Sequence, residues 1–173
     1  MYAKPYDVGA GVADPSDGRA LRQMFGQFAS GVTVITSGAI DDVHGMTANA
    51  FMSVSLDPAL ILISLKNASR MRDVIDARGC FGVSILAEGQ RSVSDHFAGR
   101  LVDETAARFE RSGDTPVLAG ALAWIVCSVE QRHLAGDHTL FVARVDDFLQ
   151  TEGAPLLFFD GRYRTLSEGA KSA

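Results

Sequence analysis

The sequence has 173 residues, of which 47% are hydrophobic and 21% are charged, a balance typical of one ordinary globular domain. The formal net charge of -5 argues against a surface for nucleic acid or for an anionic membrane, so a bound phosphate would have to be held by local groups. The first residues contain no apolar signal region and no segment approaches the roughly 20 apolar residues of a membrane span, so we expect a soluble cytoplasmic protein.

The beginning of the chain predicts a tail followed by a helix and a strand. Residues 1–18 are rich in Gly, Pro, Asp and Ala and predict a mobile N-terminal tail. We expect the domain to span residues 19–168, with a short C-terminal tail over residues 169–173. Apolar residues recur at helical spacing over residues 21–28, and the β-branched run at residues 32–36 predicts the first strand.

Residues 47–56 alternate between polar and apolar side chains, which predicts one strand with a polar face. Thr47, Asn49 and Ser53 lie on that face. The pattern fits a half-solvated sheet as well as it fits the polar wall of a pocket. A turn at residues 57–58 then leads to an almost wholly apolar strand over residues 60–65.

A helix is predicted directly after the apolar strand, with Ser69 or Asn67 as its N-cap and Gly79 as its end. Lys66 and Arg70 would then lie at the helix start, where free N–H groups and the positive end of the dipole favour an anion. The same residues also fit a capped surface helix with solvated charges.

The rest of the chain adds strands and peripheral helices. The predicted elements are a strand at 80–86 with small residues on one face, a helix at 88–97, a charged helical or irregular segment at 100–113, strands at 122–130 and 138–145, and a hairpin at 156–166. The chain has no internal repeat and no alternating strand-helix rhythm. We therefore predict a mainly β fold with peripheral helices, built as an antiparallel barrel.

Several kinds of chemistry lack their sequence signatures. There is no nucleophile elbow, phosphate loop or CxxC pair, and the four histidines are scattered without metal-ligand spacing, so we expect no metal. Cys80 and Cys127 lie in apolar runs and are predicted to be buried free thiols. A polar strand, an anion-receptive helix start and small residues nearby predict a pocket for a flat, phosphorylated cofactor that supplies the reactivity.

An ordered series of segments resembles the flavin reductase family of the FMN-binding split β-barrel. The segments are FASGVTVIT, GMTANAFMSVSLDPALILISL with KNASR, CFGVSIL, SDHFAG, GDHTLFVARV and PLLFFDGRY. The resemblance implies an antiparallel split β-barrel and a homodimer with FMN or FAD in a groove at its interface. It also implies hydride transfer from NADH or NADPH to the flavin, and delivery of reduced flavin to a partner monooxygenase.

The same resemblance implies roles for individual residues. Thr47, Ala48, Asn49 and Ser53 would line the flavin ring and ribityl chain, and Ser64, Lys66, Asn67, Ser69 and Arg70 would hold the phosphate end. His138 would act on the nicotinamide side together with Arg162 and Tyr163, and Phe97 would flank the pocket.

Two other functions fit the same pocket. The protein could be a flavin- or haem-binding module without turnover, or another enzyme of this fold, such as a corrinoid reductase or a pyridoxine-type oxidase. Phosphate recognition by Lys66 and Arg70 would also serve the pocket of such an enzyme.

Overall fold

The structure is a computed structural model that describes residues 14–100 and 107–166. Most of the predicted N-terminal tail and all of the predicted C-terminal tail lie outside the described residues, so the predicted domain boundaries stay predictions. The first helix begins at Gly18, where the Asp17 side chain accepts hydrogen bonds from the N–H groups of Arg19 and Ala20.

The described residues contain three α-helices, one short 3-10 helix at Glu88–Gln90, and twelve strands. The helices are α1 (Gly18–Phe25), α2 (Arg70–Arg78) and α3 (Arg91–Phe97). The strands are β1 (Ser30–Gly31), β2 (Thr33–Ala39), β3 (Asp42–Ala48), β4 (Phe51–Leu56), β5 (Ala59–Lys66), β6 (Cys80–Ile85), β7 (Phe109–Ser112), β8 (Thr115–Leu118), β9 (Ala123–Ala135), β10 (His138–Gln150), β11 (Leu157–Phe159) and β12 (Arg162–Arg164). None of the described helices is long and apolar enough to cross a bilayer.

Seven strands form the main antiparallel sheet, in the order β3-β2-β6-β9-β10-β5-β4. Its two edge strands, β3 and β4, are joined by Asn49 and Ala50 alone. Consecutive Cα atoms are 3.8 Å apart, so Ala48 and Phe51 are separated by at most about 11 Å. The sheet must therefore curl until its edges meet, although the described β3 and β4 are not paired with each other. The predicted mainly β, antiparallel fold is confirmed.

Two predictions about the strands were wrong. Residues 47–56 do not form one alternating strand, because pairing with β2 ends at Ala48 and pairing with β5 begins at Phe51. Residues 109–112 of the segment predicted to be helical or irregular form β7, which pairs with β8 across a turn at Gly113 with a φ of 57°, while residues 101–106 lie outside the described residues. Pro116 lies within β8, where proline normally argues against a strand.

The small side chains on β6 make room for β8. A Cβ on Gly82 would lie 2.6 Å from the carbonyl oxygen of Pro116 and 2.8 Å from Thr36 Oγ1. Ser84 Oγ accepts a hydrogen bond of 3.0 Å from the N–H of Leu118. The small face of β6 was predicted to admit a ligand, but the structure fills it with the protein's own hairpin.

Two buried clusters form the core. The first lies between the sheet and α2 and contains Phe81, Phe141 and Met71 among its fully buried residues. The second lies beneath α3 and contains Leu86 and Leu118. Together they hold α2 and α3 against the strands that surround the β3–β4 junction.

Both cysteines are free. Cys127 is fully buried, and burial raises the pKa of its thiol to about 12. Cys80 is only half-buried, because it begins β6 at the sheet margin. The prediction of a buried free thiol is therefore confirmed for Cys127 and too strong for Cys80.

Candidate functional site

Two cavities meet at the end of β3 and share Thr47, Ala48 and Asn49. One, here called the tyrosine cavity, has a volume of about 180 Å³ and is also lined by Ser94, Arg100 and Tyr163. The other, here called the lysine cavity, has a volume of about 300 Å³ and is also lined by Ser64, Lys66, Ser69 and His138. The end of β3 therefore lies between the two cavities, which together are here called the groove.

Hydroxyl groups hold the end of β3 in place. Thr33 Oγ1 donates a hydrogen bond of 2.7 Å to the carbonyl oxygen of Ala48. Thr47 Oγ1 donates one of 2.7 Å to the carbonyl oxygen of Ser94 on α3. The Thr47 hydroxyl proton is thus used by the fold, so toward a ligand this oxygen acts as an acceptor.

The start of α2 lies beside the lysine cavity. Ser69 is its N-cap, with extended dihedral angles and a hydrogen bond of 3.3 Å from the N–H of Arg72 to its Oγ. Lys66 and Arg70 are exposed on either side of this cap. The helix dipole and the two cations together favour an anion at this end of the groove.

Arg70 also acts on a neighbouring histidine. The pKa of His44 on β3 is lowered, first by burial and second by the positive charge of Arg70. His44 therefore tends to stay neutral and does not add a cation to this end of the groove.

Asn67 ties the end of β5 to the turn between β9 and β10. Its N–H donates to the carbonyl oxygen of Asp137 over 2.9 Å, and its Nδ2 donates to the carbonyl oxygen of Gly136 over 3.2 Å. Its Oδ1 accepts a hydrogen bond of 2.7 Å from Thr139 Oγ1. Both ends of the side-chain amide are engaged, so these contacts favour a positioning role over the predicted contact with phosphate.

His138 lies in the lysine cavity beside Lys66, its partner in the β10–β5 register. Its Nδ1 is 2.7 Å from Asp137 Oδ1. This hydrogen bond is the largest cause of the lowered pKa of Asp137. Because an ionised carboxylate only accepts, Nδ1 carries the hydrogen, and Nε2 of the neutral imidazole is an acceptor.

Tyr163 forms part of the opposite end of the groove, where its ring is held on two sides. The Arg91 guanidinium carbon lies 5.2 Å from the ring centroid, and the Phe158 ring packs edge-on at 5.5 Å. Desolvation is the largest cause of the raised pKa of Tyr163, so its phenol stays protonated at neutral pH.

The cavities bring together most of the predicted site residues: Thr47, Ala48, Asn49, Ser64, Lys66, Ser69, His138 and Tyr163. Ser53 instead lines an apolar groove with Trp124. Phe97 packs directly against Gly45, in the space that a Cβ would need, and Arg162 is exposed beside Tyr163. Five predicted residues are absent from both cavity linings: Ser53, Asn67, Arg70, Phe97 and Arg162.

Sequence reasoning missed several lining residues of the tyrosine cavity. Val32, Ser94, Ala98, Arg100 and Phe158 all contribute to it. Ser94 lies in the SDHFAG segment, from which only the phenylalanine was selected. Its position beside Thr47 and Tyr163 depends on long-range packing, so no local pattern could have indicated it.

Within the described residues, no group of three or more His, Cys, Asp or Glu side chains is arranged to hold a metal ion. The groove instead offers hydroxyls, one imidazole and cations. This set suits a phosphorylated organic ligand.

Comparison with known proteins identifies the family. Residues 25–167 match the model of the flavin reductase like domain. An NADH-dependent flavin reductase from Rhodococcus sp is 47% identical over 149 residues, covering 84% of this chain and 85% of that protein. The reductase component of 4-hydroxyphenylacetate 3-monooxygenase from Thermus thermophilus is 38% identical over 148 residues, covering 85% and 95%.

A solved structure agrees with these matches. It is the NADH:FAD oxidoreductase SgcE6 of Streptomyces globisporus C-1027 in complex with NAD and FAD fragments, which superposes with a TM-score of 0.87 at 36% identity. The match covers 94% of this chain and 100% of that one. The resemblance stated from the sequence segments is thereby confirmed, and the chain belongs to the flavin reductase like domain family.

Proposed function

We propose that the protein is an NADH-dependent flavin reductase, which reduces FMN or FAD bound in the groove at the end of β3. The observation that carries the proposal is that the lysine and tyrosine cavities share Thr47, Ala48 and Asn49 as lining residues. One groove thus offers an anion-receptive helix start at one end and an aromatic side chain at the other. The activities named for the relatives agree with this assignment.

The chemistry of the lysine cavity suits a phosphorylated flavin. Its volume of about 300 Å³ is at the lower limit of the range of small-ligand sites. Lys66, Ser69 and the first N–H groups of α2 would hold the phosphate, with Arg70 beside them. Met46, Ala48 and Leu65 provide apolar surface for a flat ring.

The residues of the groove would orient the flavin and the nicotinamide relative to each other. A flavin held in the groove would supply the redox chemistry by taking hydride from NADH, so the protein need not provide a nucleophile. Asn49 and Ala50 of the β3–β4 junction form part of the wall of the lysine cavity. His138 is held by Asp137 with its Nε2 free to accept a hydrogen bond, and Tyr163 holds the second ligand against the groove.

The proposal is tested by rapid mixing of the flavin-loaded protein with NADH under anaerobic conditions. The absorbance of oxidised FMN or FAD should bleach in a single turnover, far faster than in a mixture without protein. NADPH in a parallel experiment reports the nucleotide preference. A protein that binds flavin but bleaches it with neither nucleotide would be a flavin carrier, and the proposed activity would be wrong.

We further propose that reduced flavin leaves the groove to serve a separate monooxygenase. The Thermus thermophilus relative is named as the reductase component of such a system. Both cavities are open to solvent at the β3–β4 junction, where Asn49 is exposed, so the ligand has a path out of the groove.

We also propose that a second copy of the chain covers an apolar face of the main sheet. Leu56 is 95% exposed and Phe148 is 67% exposed. Both line a groove of about 320 Å³ together with Trp124 and Leu149. Exposed apolar surface of this kind marks an interaction site, and a homodimer is the state implied by the family resemblance.

Replacing both Leu56 and Phe148 by aspartate should convert the dimer into a monomer, because two charges would be buried without partners at the interface. Light scattering coupled to size exclusion, at several protein concentrations, measures the mass. Leu134→Asp is the matched control, since Leu134 is 79% exposed but lies at the opposite end of the β9–β10 hairpin. An unchanged mass for the double variant, or an equal effect of the control, would contradict the proposed interface.

A further inference from the structure

Ser94 is a fully buried residue of α3 that contacts both walls of the tyrosine cavity. Its backbone carbonyl oxygen accepts the hydrogen bond from Thr47 Oγ1. Its side-chain Oγ lies 2.8 Å from the hydroxyl oxygen of Tyr163. One residue therefore sets the spacing between the end of β3 and the aromatic wall.

The direction of the hydrogen bonds around Tyr163 follows from the groups involved. The Tyr163 hydroxyl donates its single hydrogen to Asp95 Oδ1 over 3.0 Å. Two guanidinium groups also lie beside Asp95, since Arg91 Nε and Arg100 Nη1 are each 3.6 Å from one of its oxygens. Because the single hydrogen of Tyr163 is directed to Asp95, Ser94 is the donor in its hydrogen bond with Tyr163.

This arrangement determines what Tyr163 can offer to a ligand. Its hydrogen points to Asp95, and one lone pair of its oxygen receives the hydrogen of Ser94. The remaining lone pair is available to the cavity, so the hydroxyl accepts a hydrogen bond but cannot donate one. A ligand group with N–H hydrogens suits this oxygen, whereas a carbonyl oxygen would face another acceptor.

We propose that Ser94 is a positioning residue that fixes Tyr163 as a hydrogen-bond acceptor for the carboxamide N–H of the nicotinamide ring. The inference rests on the proposed function, because it assigns the second ligand of that same groove. Ser94 acts only through Tyr163: its side chain has no other hydrogen-bonding role in these contacts, and its backbone bond to Thr47 is independent of the side chain.

The inference can be tested by comparing the binding of two nucleotides, without measuring catalysis. Calorimetric titration of the flavin-loaded protein compares the binding of NAD⁺ with that of its 3-acetylpyridine analogue, in which a methyl ketone replaces the carboxamide. The protein should prefer NAD⁺ by about three- to tenfold, the range expected for one hydrogen bond. Tyr163→Phe should abolish this preference, and Ser94→Ala should reduce it. Ser92→Ala, an exposed serine on the same helix, should leave it unchanged.

A double-mutant cycle then separates positioning from a general loss of structure. If Ser94 acts through Tyr163, Ser94→Ala should have no further effect on nucleotide binding or on the KM for NADH once Tyr163 is Phe. Additive effects, or full discrimination retained in Tyr163→Phe, would overturn the inference. If the wild-type protein reduces flavin but binds NAD⁺ and the 3-acetylpyridine analogue equally, the inference is overturned and the proposed function stands. If the protein reduces flavin with neither NADH nor NADPH, the inference and the proposed function are both refuted.

Discussion

Phe141→Ala is expected to lower the free energy of unfolding by about 3–5 kcal/mol, the usual effect of removing a buried aromatic ring. Phe141 is fully buried in the middle of β10, and its cluster includes residues of β5, β6, β9 and α2. The ring is also covered by the Arg132 guanidinium, whose carbon lies 5.9 Å from the ring centroid. The cavity left by alanine would therefore be bounded on every side by other elements and could not collapse easily.

Urea denaturation followed by circular dichroism measures this loss. Wild type and variants must be compared at one protein concentration, because the proposed dimerisation would make the apparent stability depend on concentration. Phe141→Leu is the matched control and should show a clearly smaller loss, since leucine leaves a smaller void. A loss below about 1 kcal/mol for the alanine variant, comparable with an average substitution, would contradict the description of this cluster as the centre of the core.

Arg70→Ala is expected to weaken the binding of FMN by about tenfold or more and to leave riboflavin binding nearly unchanged. A charge-assisted hydrogen bond to phosphate contributes about 1.5–3 kcal/mol, and the exposure of Arg70 favours the lower end of this range. Riboflavin has no phosphate, so it should not sense the loss of this cation. The difference between the two flavins should also shrink as salt is added, because exposed charges are screened.

Fluorescence titration of each flavin gives the two dissociation constants. Arg78→Ala is the matched control, since Arg78 is an exposed arginine at the other end of α2, where the helix dipole disfavours an anion. Equal losses for FMN and riboflavin would place Arg70 outside the phosphate site. An effect of Arg78 as large as that of Arg70 would show that overall charge, rather than the helix start, attracts the ligand.

The elements that the sequence predicted well are those specified by local signals. The boundaries of α2 follow from the Ser69 cap and from Gly79, which has a φ of 70° and ends the helix in the left-handed conformation. The β9–β10 hairpin was also recognised, because two apolar runs flank the turn at Gly136.

The errors concern contacts between distant parts of the chain. The small face of β6 could be recognised as small, but nothing in residues 80–86 indicated that β8 would occupy it. The break between β3 and β4 was missed for a similar reason. The alternation continues through Asn49 and Ala50, while the partner strand changes from β2 to β5.

The candidate site likewise contains residues that the local sequence indicated and residues that depend on contacts between distant parts of the chain. The cation cluster at the start of α2 could be inferred from local sequence, and the resemblance supplied His138 and Tyr163. Ser94 could not be found in this way, because its two contacts join residues 47 and 69 positions away in the sequence. The place of Ser94 in the site is set by the packing of α3 and not by the sequence of its own segment.

The junction at Asn49 and Ala50 affects how readily the edges of the main sheet could aggregate. Open sheet edges carry unpaired backbone groups that can recruit strands of other molecules, and full closure of the ring would remove them. Here the two edges are tethered at one end by the chain itself. The carbonyl oxygens of Asn49 and Ala50 accept hydrogen bonds from the N–H groups of Phe51 and Ser64, so this tether leaves fewer backbone groups free to recruit a strand. The sheet margin is thus protected at the same place where the tyrosine and lysine cavities share Asn49.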